Sequence, residues 1–202
     1  TYKPQFMLCQ ESTSYVELIR DVEELAASGV KTIVFEANSG GGAASHMMES
    51  ADVIRDILTK NNIKSVTYVD TMCASAALGL GVVSDEVIIN PSASIGSIGA
   101  LICLMDSSEA MKKEGLKEIY ISSAEKKVPL DAEGKFKPDF IEKLQQDVIA
   151  LGEEFAAHVS KYTGISTEEI LSWQADIFRP QEALTKGLVN SIMTHQEFSD
   201  HV

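Results

Sequence analysis

Apolar side chains recur along this chain at two spacings, one typical of helices and one typical of strands. In three stretches the apolar residues recur with helical spacing, and a glycine follows the first and the last of these stretches. The helical stretches contain Tyr15, Leu18, Ile19, Val22, Leu25 and Ala26 before Gly29; Met47, Ala51, Ile54 and Leu58; and Phe140, Leu144, Val148, Leu151, Phe155, Val159 and Tyr162 before Gly164. Short runs rich in β-branched residues cover residues 31–37, 65–69 and 86–89. Because helical and strand patterns alternate, the sequence predicts repeated βαβ units in an α/β fold.

Composition favours one compact domain over residues 1–202. The chain has 202 residues, of which 45% are hydrophobic, so it can bury a sizeable core without being divided. No low-complexity linker or internal repeat interrupts the pattern. The long stripe over residues 140–162 fits a helix that packs on this core or on another subunit. We therefore expect a single domain, whether the chain is complete or a fragment of a longer precursor.

The charge of the chain argues against some classes of partner. Its formal net charge is -13 and its pI is about 4.7, which disfavours nucleic acid or an anionic membrane as the main partner. No apolar run reaches the ~18 residues that a membrane-spanning helix needs, and no basic and apolar leader opens the chain. We expect a soluble protein in a reducing compartment.

The cysteines and histidines indicate no disulfide framework and no metal site. Cys9, Cys73 and Cys103 are odd in number and lie in apolar surroundings, which favours buried thiols over disulfides. The cysteines and histidines also lack the spacing of metal ligands. No motif suggests an organic cofactor, so we expect the protein to work without one.

The segment from Met72 to Gly81 contains the first candidate for chemistry. Ser75 stands there among alanines and glycines, after the apolar run 65–69 and before a run of alanine and leucine that predicts a helix. A hydroxyl at such a junction lies near the unpaired N–H groups of a helix N-terminus, which stabilise negative charge. Ser75 is therefore a candidate nucleophile, although small residues around a serine also fit tight helix packing or an N-cap.

Two glycine clusters lie at the ends of apolar segments. Residues 38–42 follow one predicted strand, and their backbone N–H groups could point at an anion. The Gly-Lys-Ser or Gly-Lys-Thr ending of a phosphate-binding loop is missing, which disfavours nucleotide binding. Residues 96–99 form the second cluster, which on its own indicates a bend more often than a site.

A serine nucleophile needs a base, and both histidine and lysine are candidates. His46, His158, His195 and His201 give no support to a Ser-His-Asp triad. Residues 118–122 alternate like a strand that turns Ile119 and Ile121 inward, and continued alternation would turn Lys127 inward and Lys126 outward. Two solvated loop lysines are the competing interpretation, because lysine is rarely buried without a partner.

From Asn38 to Val189 the sequence resembles the signal peptide peptidase A-like serine peptidases, relatives of the ClpP/crotonase fold that use a Ser-Lys dyad. Three segments and one lysine carry the resemblance. Asn38-Ser39-Gly40-Gly41-Gly42 resembles the family's Asn-Ser-Pro-Gly-Gly turn, with Gly40 in place of the proline; Met72-Cys73-Ala74-Ser75 resembles its nucleophile segment, with Ala76 and Ala77 where two glycines are common; Asn90-Pro91 through Gly96-Ser97-Ile98-Gly99 resembles its Gly-Ser-Ile-Gly element; and Lys127 falls where the catalytic lysine is expected. The resemblance implies an α/β fold of the ClpP/crotonase-like type, a ββα superhelix with peripheral helices.

Residues 155–166 and 181–189 most resemble the bacteriophage head-maturation proteases of this family. This branch implies cleavage of scaffold, portal or capsid precursor proteins, and often self-processing, inside a procapsid in the host cytoplasm. A cellular signal peptide peptidase A-like protease fits the same motifs. It would degrade membrane-derived or cytosolic peptides in the bacterial cytoplasm or at the membrane periphery.

The resemblance also implies a role for each site residue. Ser75 would attack a peptide carbonyl after neutral Lys127 removes its proton, and Ser97 would orient Lys127. The backbone N–H groups of Gly41 and Ala76 would form the oxyanion hole. Relatives with this fold form rings, so we expect a homo-oligomer.

Two other classes of protein remain open at this stage. A crotonase-type acyl-CoA enzyme would share the two-amide oxyanion hole, but it needs an acidic catalytic residue and a basic surface for the CoA phosphates. A catalytically inactive scaffold is favoured if Lys127 proves solvent-exposed or distant from Ser75.

Overall fold

The computed structural model describes residues 13–202, which fall into two compact units. The first unit contains the described residues up to Gly99 together with Gly152–Val202, and the second contains Ala100–Leu151. The helices are α1 (Tyr15–Ala27), α2 (Met47–Lys60), α3 (Ala76–Gly81), α4 (Ser108–Lys113), α5 (Pro138–Thr163), α6 (Thr167–Ser172), α7 (Pro180–Thr185) and α8 (His195–His201), with a 3₁₀ helix at Glu125–Lys127; the strands are β1 (Thr32–Ser39), β2 (Lys64–Ala74), β3 (Glu86–Ile89), β4 (Ser94–Gly96), β5 (Ile177–Phe178) and β6 (Ser191–Ile192). The predicted α/β class is confirmed.

Strand β2 is the centre of a mixed six-stranded sheet. Strand β1 runs parallel along one edge of β2. The other edge pairs first with β3 and then with β4, both in parallel. Strand β6 extends the sheet beyond β3 in parallel, and β5 extends it beyond β4 in the antiparallel sense. The chain after β2 therefore leaves the sheet beside β4.

An irregularity in β2 produces this change of partner. Ala37 pairs with Val69, but Ser39 pairs with Cys73, so β2 gains residues relative to β1 between these two pairs. Pairing with β3 ends at Val69, and pairing with β4 begins at Met72. Such irregularities bend a strand and redirect the side chains that follow. The sequence predicted only residues 65–69 as a strand, because the polar residues of the irregularity hide its continuation to Ala74.

Helices cover both faces of the sheet in the first unit. Tyr68 and Ile88 are paired neighbours on one face, where the ring of Phe198 from α8 stacks on Tyr68 with centroids 4.2 Å apart. Helices α1 and α2 pack at the start of β1, and α3, α5 and α6 cover the later part of the sheet. The largest fully buried side chains are Tyr68, Ile54, Leu58, Leu78, Ile88, Ile89, Ile95, Ile170, Leu188, Val22, Val66 and Val69. The core thus lies around the strands that lead to Ser75.

The three predicted helical stripes are confirmed as α1, α2 and α5. A capping box formed by Ser14 and Glu17 begins α1, and Gly164, with φ of 76°, directly follows the end of α5. Core packing of the long stripe holds only for its C-terminal part, where Phe155 and Val159 are buried. Its N-terminal part belongs to the second unit, in which no residue is buried.

The prediction of a strand at residues 118–122 is wrong. These residues have no regular structure, and Ile119 and Ile121 are 81% and 99% exposed. Alternation makes a strand only where a neighbouring strand pairs with the backbone, and no strand lies between Ala100 and Leu151. The inference that Lys127 points inward and Lys126 outward fails with it, because both lysines are exposed on the 3₁₀ helix Glu125–Lys127.

The cysteine prediction is confirmed at one position and wrong at another. Cys73 is buried, and burial raises the pKa of its thiol to about 12. Cys103 is exposed, because its apolar neighbours lie in the second unit and are not packed into a core. Cys9 lies outside the described residues.

No helix between residues 13 and 202 is long and apolar enough to cross a membrane.

Candidate active site

Ser75 occupies the single residue between β2 and α3. Its backbone has φ of 53° and ψ of -127°, a region that residues other than glycine rarely adopt and that costs about 1–3 kcal/mol. Strain of this kind is kept only where the surrounding structure enforces it. A half-buried serine on a sharp strand-to-helix turn is also the arrangement that presents the nucleophile in α/β-hydrolases.

Hydrogen bonds on both sides hold the backbone of Ser75. Its N–H donates to the carbonyl of Gly96 at the end of β4, at 2.9 Å. Its carbonyl accepts from the N–H of Gly79 in α3, at 3.1 Å. The strained conformation is therefore fixed between the sheet and the helix.

The backbone of Gly41 passes directly beside the side chain of Ser75. A Cβ atom placed on Gly41 would lie 2.6 Å from the Cβ and 3.1 Å from the Oγ of Ser75, and 3.1 Å from the carbonyl oxygen of Ala74. Gly41 also has φ of 115°. Only glycine fits this position, so the structure explains one glycine of the first cluster and places it next to Ser75.

Of the two predicted oxyanion donors, Ala76 follows Ser75 in the chain and Gly41 lies beside it in space. Their N–H groups differ in hydrogen bonding. Ala76 is the first residue of α3, where helical geometry leaves the N–H without an acceptor inside the helix. The N–H of Gly41 donates to the buried Oγ of Ser39 at 3.2 Å. An oxyanion role for Gly41, which stays a prediction, requires Ser39 to release or share this N–H.

Ser39 is a residue that the sequence analysis missed as part of the site. A serine hydroxyl commonly accepts a hydrogen bond from the backbone two residues later. The spacing of Ser39 and Gly41 was therefore a usable signal for this contact. This bond orders the glycine turn.

Exchanging Gly41 for alanine is expected to destabilise the protein by about 1–3 kcal/mol, since the new methyl group meets Ser75 and the backbone is strained. Gly152→Ala is the matched control. Gly152 lies inside α5 with open space around its Cβ position, so alanine there is expected to stabilise by about 0.5–1 kcal/mol. Urea denaturation of the two variants measures both effects. A Gly41→Ala protein as stable as the wild type would contradict the close approach.

The second glycine cluster brings another segment of the chain against the site. The N–H of Ser97 donates to the carbonyl of Asp176 at 2.8 Å. A Cβ on Gly96 would lie 2.4 Å from that same carbonyl oxygen, and one on Gly99 would lie 2.9 Å from the Cβ of Ala175. Gly96 and Gly99 therefore allow the segment 175–176 to pack closely against this cluster, in addition to forming a bend. Ser97 thus follows directly after Gly96, whose carbonyl binds Ser75.

In the part of the chain that the structure describes, no histidine forms a hydrogen bond with Ser75. His158, the buried one, donates from Nε2 to the carbonyl of Gly79 at 2.9 Å, and its Nδ1 lies 3.9 Å from Oδ1 of Asp52. The contacts therefore give no support to a Ser-His-Asp triad. Within residues 13–202, no three side chains of metal-ligating type lie together.

The free energy of unfolding is expected to fall as the pH drops below about 6.5. Burial lowers the pKa of His158, and the Gly79 carbonyl and Asp52 carboxylate offset this only in part. The unfolded chain, with an ordinary histidine pKa of about 6.5, therefore binds the proton more readily than the folded protein. Stability is then greatest above this pKa and is lost towards the lower folded value. Urea denaturation at several pH values above the carboxylate range should show a weaker slope for His158→Gln, and an equal slope would contradict the assignment.

The predicted base belongs to the other unit. Ser75, Gly41, Ala76 and Ser97 all lie in the first unit, whereas Lys127 lies in the second. Gly41 lies beside the side chain of Ser75. Ala76 follows Ser75 in the chain, and Ser97 follows Gly96, whose carbonyl accepts from the N–H of Ser75. Lys127 is exposed, which is the outcome that favours two solvated loop lysines and an inactive scaffold. The pairing of Ser75 with Lys127 stays a prediction.

Known proteins similar to this chain include peptidases. A model of peptidase family S49 matches residues 57–201. Capsid assembly protease C of Escherichia phage lambda is 27% identical over 183 residues, which are 90% of this chain and 41% of that protein. Head-tail preconnector protein GP5 of Enterobacteria phage P21 is 24% identical over 182 residues, covering 90% of this chain and 36% of that protein. A putative signal peptide peptidase SppA of Enterococcus faecium is 23% identical over 182 residues, covering 89% and 52%. The chain thus spans well under half the length of the two phage proteins.

Proposed function

Because this chain belongs to peptidase family S49, we propose that it is a serine endopeptidase with a Ser-Lys dyad that cleaves scaffold, portal or capsid precursor proteins during phage head maturation. The family match covers Ser75, Ser97 and Lys127. The substrate class is supported by the names of the two phage relatives, a capsid assembly protease and a head-tail preconnector protein.

The observation that best supports a catalytic site is the strained backbone of Ser75 with Gly41 packed against its side chain. A serine with only a structural role gains nothing from a conformation that costs about 1–3 kcal/mol. A nucleophile gains exposure of its hydroxyl beside the N–H groups that would stabilise an oxyanion. The first N–H group of α3 is suitably placed to support negative charge next to Ser75.

In the proposed reaction the Oγ of Ser75 bonds to the carbonyl carbon of the substrate while neutral Lys127 takes the hydroxyl proton. The peptide C–N bond then breaks, and the proton passes from the lysine to the leaving amine. Water hydrolyses the resulting ester and restores Ser75. The N–H groups of Gly41 and Ala76 would stabilise the oxyanion, and one such donor is typically worth about 3 kcal/mol in the transition state.

Ser97 is the proposed residue that orients Lys127. Its neighbour Gly96 binds the N–H of Ser75, so Ser97 belongs to the segment that fixes the nucleophile. No cofactor enters this mechanism, because serine and lysine supply both the nucleophile and the base.

We further propose that residues 1–202 form one serine peptidase domain of the ClpP/crotonase-like type and that the protein assembles into a homo-oligomeric ring. Large apolar side chains of the second unit are exposed, among them Leu101, Met105 and Ile121. Exposed apolar surface of this kind marks interaction sites. A ring would restrict cleavage to extended segments of proteins inside a procapsid. A purified protein that stays monomeric and fully active would contradict this assembly.

A cellular protease that degrades membrane-derived or cytosolic peptides is the second candidate. The similarity to the Enterococcus faecium peptidase supports it, over 89% of this chain. The two proposals differ in substrate and share the same chemistry.

A peptide-cleavage assay tests the proposed function. The purified protein is incubated with a peptide library, with extended segments of capsid, scaffold and portal precursors, and with acyl-CoA thioesters, and the products are identified by mass spectrometry. Cleavage of precursor segments is the expected result. Preference for membrane-derived peptides would favour the cellular candidate, turnover of thioesters alone would indicate a crotonase-type enzyme, and no reaction with any of them would indicate an inactive scaffold.

A further inference from the structure

A buried hydrogen bond connects the long helix α5 to the short helix that follows Ser75. The Nε2 of His158 lies 2.9 Å from the carbonyl oxygen of Gly79 in α3. A carbonyl only accepts, so this nitrogen carries the hydrogen and donates it. The histidine is 7% exposed, which removes water as a competing partner.

Gly79 needs a donor from outside its helix. Helix α3 has six residues, and the last carbonyls of any helix lack donors within it. The carbonyl of Leu78 is bonded by the N–H of Val82, at 2.9 Å. The carbonyl of Gly81 is bonded by the hydroxyl of Thr67, at 3.0 Å. His158 supplies the corresponding bond for Gly79, in a region where an unpaired carbonyl would be costly.

The same glycine also holds Ser75. Its N–H donates to the carbonyl of Ser75 at 3.1 Å, so two successive hydrogen bonds lead from Ser75 to His158. A Cβ on Gly79 would lie 2.3 Å from the sulfur of Met47 and 3.0 Å from the ring of Phe155. Gly79 is therefore fixed by packing as well as by hydrogen bonds.

The ring of His158 is itself held by neighbours from two helices. Its Nδ1 faces Asp52 of α2 at 3.9 Å, and the carboxylate of Asp52 accepts from Lys161 at 2.9 Å and from Tyr162 at 2.5 Å. Tyr162 also contacts the ring edge to face, with centroids 5.1 Å apart. Among the described residues, Asp52, Lys161 and Tyr162 are the charged and titratable groups that face the ring, while Nε2 points at Gly79.

We infer that His158 is a positioning residue which, through Gly79, holds Ser75 in its strained conformation for attack on the substrate. This inference rests on the proposed peptidase function. His158 takes no part in proton transfer, because its Nε2 is committed to the Gly79 carbonyl. Without that bond α3 is free to shift and the backbone of Ser75 relaxes, which moves its hydroxyl away from the substrate carbonyl.

Three variants test the inference. His158→Leu removes the donor, and His158→Gln keeps an amide N–H at the position of Nε2. Ile170→Val is the control, because Ile170 of helix α6 belongs to the hydrophobic cluster that also contains Phe155 and Val159 of α5. Hydrogen exchange of the segment 75–82, followed by mass spectrometry, reports on α3, and steady-state kinetics with a peptide substrate report on Ser75. If His158→Leu does not fold, His158→Asn, whose amide is too short to reach Gly79, replaces it.

We expect faster exchange of this segment in His158→Leu and a kcat that falls about 10- to 100-fold, since a displacement of about 1 Å can cost that much. KM should change by less than about two-fold, because Ser75 contributes to attack and not to binding. His158→Gln should restore both readouts, and Ile170→Val should leave kcat unchanged at temperatures where it is folded.

Three outcomes would overturn the inference: unchanged exchange in His158→Leu, an unchanged kcat despite faster exchange, or an equal loss of kcat in Ile170→Val. A wild-type protein without any peptidase activity would instead contradict the proposed function. The two failures are distinguishable because exchange is measured without substrate.

Discussion

If Ser75 is the nucleophile as proposed, Ser75→Ala is expected to abolish peptide cleavage, with a loss in kcat of about 10⁴-fold or more, as measured for serine peptidases that lose the nucleophile. The variant lacks the oxygen that forms the acyl-enzyme, while its N–H and carbonyl keep their bonds to Gly96 and Gly79. Alanine carries the same backbone restriction as serine, so the strain at this position does not change. The protein should therefore remain folded and inactive. Cleavage of a precursor segment and urea denaturation of the same preparation measure the two properties together.

Ser92→Ala is the matched control for this experiment. Ser92 is exposed in the turn before β4, and its backbone N–H donates to Oδ1 of Asn90 at 2.9 Å. The control should retain wild-type cleavage. Residual cleavage in Ser75→Ala equal to that of Ser92→Ala would show that Ser75 is not the nucleophile or that a contaminating protease is responsible.

The helices and the buried strands of this protein were predictable from sequence because local patterns determine them. The stripes that begin at Tyr15, Met47 and Phe140 gave α1, α2 and α5. In each helix the apolar side chains follow the helical period, so the pattern needs no information about distant residues. The α/β class follows from the alternation of these stripes with strands.

In the second unit, local patterns did not predict which side chains are buried. Ile119 and Ile121 alternate as in a strand, yet both are exposed, and Cys103 is exposed among apolar neighbours. Alternation states which side chains share a face, but it does not supply a pairing strand or a surface to cover that face. Whether such residues become buried depends on partners that the local sequence does not contain.

The site was predictable in its residue types and not in its connections. The glycines at 41 and 96 were recognised as unusual, but only the structure shows that one touches Ser75 and the other touches Asp176. The bond from His158 to Gly79 joins residues 79 positions apart in the chain. No periodicity encodes a contact of that range, whereas a serine two residues before Gly41 was a local signal that could have been used.

Lys127→Ala is expected to lower kcat about 10³-fold or more, because in the proposed mechanism Lys127 is the base that takes the proton from Ser75. Lys127 and Lys126 are adjacent and exposed on the same 3₁₀ helix, so substitution of either should change stability by less than about 0.5 kcal/mol. Lys126→Ala is therefore a control matched in residue type, exposure and helix. It should cleave peptides like the wild type.

The Lys127→Arg variant distinguishes a role of Lys127 as a base from a role of its positive charge. Arginine keeps the positive charge and most of the length, but a guanidinium does not lose its proton in proteins and cannot act as a base. Cleavage should therefore be lost in Lys127→Arg as fully as in Lys127→Ala. In the wild type the rate should rise towards alkaline pH, because only the neutral form of a lysine can accept a proton. Activity retained by Lys127→Arg, or an equal loss in Lys126→Ala, would exclude Lys127 as the base.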